Sequence, residues 1–158
     1  MSPDASQPFV RLEITSQPSL LAGARALVSS IAQRCGFNEI QCGQISLAVD
    51  EALCNIIKHG YDGREDGRIW ISLSECQEQS PGIEIVIEDD ALQVDPEGIR
   101  SRDLDDIRPG GLGVHIIRQI MDEVSYARRD RQGMRLTLVK HLRPVTTVHD
   151  SESKHEQL

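Results

Sequence analysis

The segment from Asn38 to Tyr61, NEIQCGQISLAVDEALCNIIKHGY, constrains the rest of the chain more than any other. Its apolar residues recur at helical spacing: Ile45, Val49, Ala52 or Leu53, then Ile56 and Ile57. Asn38 is placed to cap the start, with Gln41 three residues on in the reciprocal capping position. Gly60 is placed to end the helix. A second, polar stripe runs beside the apolar one. Glu51, Asn55 and His59 are four residues apart, so they line one side of the helix at roughly 5–6 Å intervals. An acid, an amide and an imidazole in a row can supply a base, a metal ligand and a hydrogen-bond donor. A solvated helix face has the same pattern, so the remaining chain has to decide between the two.

The 158 residues suit one domain with a single core. A net charge of −8 argues against a nucleic-acid backbone as partner. A polyphosphate ligand stays open, because a small site can use backbone N–H groups. The start, MSPDASQPF, has no basic residues leading into an apolar run, and no stretch reaches membrane-spanning length. The expectation is a cytoplasmic protein with no membrane partner. The four cysteines, Cys35, Cys42, Cys54 and Cys76, form no C-x-x-C pair and have no histidine at zinc spacing. They read as free thiols. Aromatic residues make up only 3% of the chain, so the core is aliphatic and offers no stacking platform for single-stranded nucleic acid.

In chain order, Phe9 to Thr15 alternates like a strand with one buried face, and Ser19 to Cys35 carries a helical pattern that Gly36 stops. Pro18 suits the first turn of that helix. After the organising helix, Arg68–Glu75 and Gly82–Asp89 alternate as strands, joined as a hairpin through Ser80-Pro81-Gly82. From Asp90 to Pro109 the periodicity dissolves, as it does in a lid over a site; a single helical turn fits at Pro96–Arg100. Gly110-Gly111-Leu112-Gly113 then opens a short helix, Val114–Met121, and a last hairpin pairs Glu123–Arg129 with Met134–His141. The predicted fold is α/β: a two-layer sandwich with a mixed, mainly antiparallel sheet packed on one face by helices. The domain spans residues 9–142, with flexible tails at 1–8 and 143–158.

Two further groups of residues can carry chemistry. Glycines before Val114 let a phosphate approach the backbone, and the helix behind them presents unpaired N–H groups and a positive dipole end. Neither a Walker A loop nor a Rossmann fingerprint is present. At the end of an apolar strand, Glu88-Asp89-Asp90 offers a carboxylate to an exocyclic amine. Singly, each is weak: a hinge explains the glycines equally well, and a solvated turn explains a single acid better.

Their order is more specific. DEALCNIIKHGY (50–61), EDDALQVDP (88–96) and GGLGVHIIRQIMDEV (110–124) follow one another along the chain. In this arrangement the sequence resembles the histidine-kinase-like ATPases of the Bergerat fold, and among them the anti-sigma factor serine kinases. The resemblance implies ATP as substrate and Mg²⁺ held by Asn55. Glu51 would be the catalytic acid–base group for a serine hydroxyl, and Asp89 the acceptor for the adenine amine. Gly110, Gly111, Leu112 and Gly113 would hold the phosphates under the 90–109 loop, with Arg102 or Arg108 reaching the γ-phosphate. His59 would either join the site or cap the helix.

The implied function is a protein-serine kinase in a partner-switching module. It would phosphorylate a small antagonist protein and bind a sigma factor or another regulator, as a homodimer. A sensor histidine kinase would need a longer helical segment ahead of Asn38, and a gyrase-like ATPase a further domain. The sequence departs from the family at one place: Ala91 and Gln93 stand where glycines are usual. An alanine adopts positive φ at a cost. The alternative is therefore a regulatory binding module that holds nucleotide weakly or not at all.

Overall fold

The computed structural model describes residues 8–76, 80–99 and 111–143. Five strands form one sheet in the order β1-β2-β3-β5-β4. They are β1 Val10–Thr15, β2 Arg68–Glu75, β3 Gly82–Asp89, β4 Glu123–Arg128 and β5 Met134–His141. Every pairing among them is antiparallel. The sheet is therefore the limiting case of the mainly antiparallel expectation, with no parallel ladder to make it mixed. The residues 77–79 of the first hairpin lie outside the described residues.

Registration follows from the alternation. Leu12 faces Ile71, Ile71 faces Ile87, Ile87 faces Leu136, and Leu136 faces Tyr126. One apolar rung thus crosses all five strands. The neighbouring rung is Val10, Leu73, Ile85, Leu138 and Val124. A period of two puts these side chains on a single face, and three helices cover it. They are α1 Leu21–Arg34, α2 Glu39–Asn55 and α3 Leu112–Ile120. A single 3₁₀ turn, Pro18–Leu20, leads into α1. From α1, Ala24, Val28 and Ala32 are buried; from α2, Ile45, Ala48, Val49, Ala52 and Leu53; from α3, Ile117. The alanines let the helix backbones lie close to each other and to the β-branched strand residues.

The start of α2 is capped as its residues dictate. The Asn38 side chain accepts from the Gln41 N–H at 2.9 Å, and the Gln41 side chain accepts from the Asn38 N–H at 3.0 Å. Its end differs from the sequence expectation. The α-helix stops at Asn55 and continues as a π turn, Ile56–Gly60, so Gly60 is the last helical residue but is reached through a wider turn. The chain then turns at Asp62 and Gly63, both at positive φ. The wide turn inserts a residue, rotating Tyr61 into the core, where it is 3% exposed. Its N–H bonds the Ile56 carbonyl at 2.8 Å. Its hydroxyl donates to the Arg68 carbonyl at 2.6 Å and accepts from the Asp90 N–H at 2.8 Å. Tyr61 thus ties the end of α2 to β2 and to the residue following β3. π turns of this kind recur beside functional sites.

α1 ends at Gly36, at φ 102°, as its sequence suggests. The single turn in the 90–109 segment is a short 3₁₀ piece, Pro96–Gly98, whose Asp95 side chain accepts from the Glu97 N–H. Residues 100–110 lie outside the described residues, as do most of the expected tails. All four cysteines are free.

Candidate functional site

Along β3 the inward positions are Ile83, Ile85, Ile87 and then Asp89. Asp89 pairs with Ile69, which pairs in turn with Ile14, so the carboxylate occupies an apolar row and faces the helices. It is 5% exposed. Its Oδ1 accepts the N–H of Ala91 at 2.9 Å and that of Met134 at 3.2 Å. Among the described residues, Oδ2 makes no hydrogen bond. Burial pushes the carboxyl above its ordinary value of 3.8, against the pull of those two N–H bonds and the Arg129 guanidinium.

A cavity of about 360 Å³ opens at this carboxylate, a volume within the range of small-molecule sites. Asn55, His59 and Ala52 of the organising helix bound one side. Ile87, Met134 and Leu136 of the sheet form its floor. Gly111 and Val114 stand at the start of α3, and Leu92, Val94 and Ile99 rim the mouth. The walls are largely aliphatic. Among the described lining residues the only basic side chain is His59, so an anion here would depend on backbone N–H groups or a cation.

α3 meets α2 at Gly113. A Cβ built on Gly113 would lie 2.7 Å from Glu51 Oε2 and 3.3 Å from Asn55 Nδ2. Sequence reasoning gave this glycine to an approaching phosphate. In the structure its missing side chain makes room for Glu51 and Asn55. Gly111 has the conformational role. At φ 123° it precedes α3, a backbone that L side chains rarely adopt, and it lines the cavity. The Leu112 side chain is 59% exposed and is not among the residues that line the cavity. Gly110, Arg102 and Arg108 lie outside the described residues.

The structure therefore brings Glu51, Asn55, Asp89, Gly111 and Gly113 together around one cleft. Asn55 and Asp89 line it, and Glu51 sits one turn back on α2 against Gly113. His59 is exposed in the π turn and lines the cavity; no hydrogen bond from its side chain caps the helix.

The departure at Ala91 is accommodated. Among the described residues, Asp62 is the only non-glycine at positive φ, so neither Ala91 nor Gln93 needs the backbone that glycine usually supplies. Ala91 packs instead toward Gly60, where an added Cβ would lie 3.0 Å from the Ala91 methyl. The side chain lost at position 60 makes room for the one gained at position 91. Gln93 donates to the Arg129 carbonyl at 2.6 Å and anchors the loop to the second hairpin.

Three contributors were not found from sequence: Tyr61, Arg129 and Gly133. Arg129 Nη1 donates to the Asp89 carbonyl at 2.7 Å and to Asp90 Oδ1 at 2.6 Å. Its guanidinium lies 5.0 Å from the Trp70 ring centroid on the open face. Gly133, at φ 83°, lets the β4–β5 turn close on the Asp89 carbonyl. These residues position Asp89. In the sequence they are only an aromatic at the end of a helix, the last residue of a strand and an ordinary turn glycine.

The raised pKa gives a pH prediction. Folding favours the protonated Asp89, so its contribution to stability is present below 3.8 and is lost as pH rises through its raised value. Asp89→Asn keeps an oxygen for the two N–H groups but removes the buried charge. Relative to wild type, the variant is expected to be more stable at neutral pH than below the carboxylate range. Urea titrations at both pH values check this; parallel pH dependence of the two proteins contradicts it.

A strand-end acid, a helix-borne acid–amide pair and a glycine-opened helix, on a sheet covered by helices on one face, are the features of a nucleotide-binding ATPase domain. The family model for the histidine kinase-like ATPase domain matches residues 14–140, and the chain belongs to that family. It is similar to the serine-protein kinase RsbW of Bacillus subtilis, 23% identical with 93% of this chain and 94% of the relative covered. It is also similar to the serine-protein kinase RsbW of Oceanobacillus iheyensis, 26% identical with 85% and 87% covered. A crystal structure of the RsbU and RsbW domains of a Mycobacterium tuberculosis protein superposes with a TM-score of 0.59 at 16% identity. That match covers 87% of this chain and 34% of the longer one. It supports the fold.

Proposed function

We propose that this protein is an ATP-dependent serine-protein kinase of the anti-sigma factor type, which phosphorylates a small antagonist protein and binds a sigma factor or another regulator. The observation that carries the reading is the meeting of Glu51 and Asn55 with Gly113 beside a cavity that ends at the buried carboxylate of Asp89. Names of relatives with nearly full-length coverage point the same way.

In this reading Asp89 Oδ2 accepts from the adenine amino group, a contact that guanine, with a carbonyl there, does not offer. The aliphatic floor takes the base. The phosphates lie toward the N-terminus of α3, where unpaired N–H groups and the dipole favour negative charge. Asn55 suits Mg²⁺: its amide oxygen is a hard neutral ligand on the cavity wall, and the ion would neutralise phosphate charge there. Glu51 takes the proton of the substrate serine. The serine oxygen bonds to the γ-phosphorus, the bond from that phosphorus to the β–γ bridging oxygen breaks, and ADP leaves. The protein works as a cytoplasmic homodimer; among the described residues no helix is long and apolar enough to cross a membrane.

Incubation with radiolabelled ATP and the antagonist protein of the same genome tests the reading: label should appear on a serine of the antagonist. ATP binding without such labelling overturns it. Asp89→Asn should weaken ATP about tenfold or more, the size of a lost charge-assisted hydrogen bond. The alternative of a nucleotide-free binding module loses its motive, because the backbone at Ala91 and Gln93 avoids positive φ.

A further inference from the structure

We propose that the outward row of α2, Ile40, Gly43 and Leu47, is the docking surface for the serine-bearing protein substrate and delivers its hydroxyl to Glu51. The proposal rests on the kinase reading above. Most of α2 is covered by the sheet and its two neighbouring helices, yet two large aliphatic side chains on it face solvent. Ile40 is 74% and Leu47 is 44% exposed. Between them Gly43 leaves open space: a Cβ there would meet nothing within 4 Å. The exposed positions from Ile40 to Leu47 are Ile40, Gly43, Gln44 and Leu47, none of them charged, in a chain that is 27% charged.

The row also has a direction. Residues 40, 43 or 44, 47 and 51 succeed one another at three- and four-residue steps, so they share one side of the helix. The next position after Leu47 is Glu51. From Ile40 to Glu51 the rise is roughly 16 Å, a span that a folded protein surface covers and a free amino acid does not. The exposed Leu112 side chain adjoins Gly113, which packs on Glu51, so a second aliphatic group stands near the same carboxylate. An apolar, uncharged shelf ending at an acid suits a protein that presents a hydroxyl beside a hydrophobic surface. Its small area suits a partner that must leave after each transfer.

Two variants test the surface without touching the cleft: Ile40→Gln/Leu47→Gln, and Gly43→Glu, which places a charge in the open space and improves helix propensity. The probe is the antagonist protein of the same genome. Each variant is expected to raise KM for that protein about tenfold or more. The kcat at saturating antagonist and the Kd for Mg·ATP should stay within about twofold, with an unchanged Tm. An unchanged KM overturns the proposal. An unchanged KM with altered oligomeric state in light scattering assigns the row to a second copy, and with lost sigma-factor binding assigns it to the sigma factor; both overturn it. If wild type labels no serine, the kinase reading fails by itself, and calorimetry of antagonist binding decides the surface. Weaker binding by both variants supports it. Equal binding, or no binding to wild type, overturns it.

Discussion

Glu51→Ala is expected to lower kcat for serine phosphorylation by about 10²–10⁴-fold, the usual loss when a general base is removed, while Mg·ATP affinity changes little. Glu51 is not among the residues that line the cavity; it stands one helical turn from Asn55 and against Gly113. Asn55→Ala should show the opposite pattern, because Asn55 lines the cavity and its oxygen is the metal ligand in the proposed mechanism. Its Kd for Mg·ATP should rise tenfold or more. The contrast is the informative part, since a mutation that reduces kcat alone removes an interaction made only during transfer. Calorimetry for binding and single-turnover labelling for chemistry separate the two effects. Equal loss in both measurements for both variants would mean that the side chains hold the helices together and take no distinct parts in the reaction.

The largest expected effect on stability is at Gly133. A Cβ there would fall 1.7 Å from the Asp89 carbonyl oxygen and 2.6 Å from its carbon. The obstacle is backbone, so no side-chain rotation relieves it. The residue is also at φ 83°, where alanine is strained. Gly133→Ala should cost about 2–5 kcal/mol and lower the melting temperature by roughly 5–15 °C. The carbonyl it displaces belongs to the proposed adenine acceptor, so the folded fraction should also bind ATP more weakly. Thermal denaturation with and without Mg·ATP reads both effects. A melting temperature within about 2 °C of wild type would contradict the predicted clash.

Most of the framework was legible because its signals are local. The spans of β2, β3 and β5 could be read from alternation alone, since each has one wet and one dry face. The capping box at Asn38 and Gln41 is a pair of side chains three residues apart. The inward direction of Asp89 could be read by parity, two residues beyond Ile87. The turn at the end of α2 was not legible. A π turn is chosen by what Tyr61 gains in the core, and its hydroxyl partners are seven and twenty-nine residues away. Arg129 and Gly133 were missed for the same reason: their partner at Asp89 is about forty residues distant. The packing of Gly113 against Glu51 was not legible, because a glycine in the first turn of a helix has the same appearance whether it admits a ligand or a neighbouring side chain.

The Tyr61 hydroxyl has a consequence for how a nucleotide is received. One oxygen joins the turn that follows the Asn55 helix to β2 and to the residue after Asp89, so in the proposed mechanism the distance between the metal end and the base end is set like the jaws of a locked caliper. A ligand of matching length meets both ends already in place, and little ordering entropy is left to be lost on binding. A nucleoside without its phosphates reaches only one jaw, and the rigid span then works as a measure of ligand length.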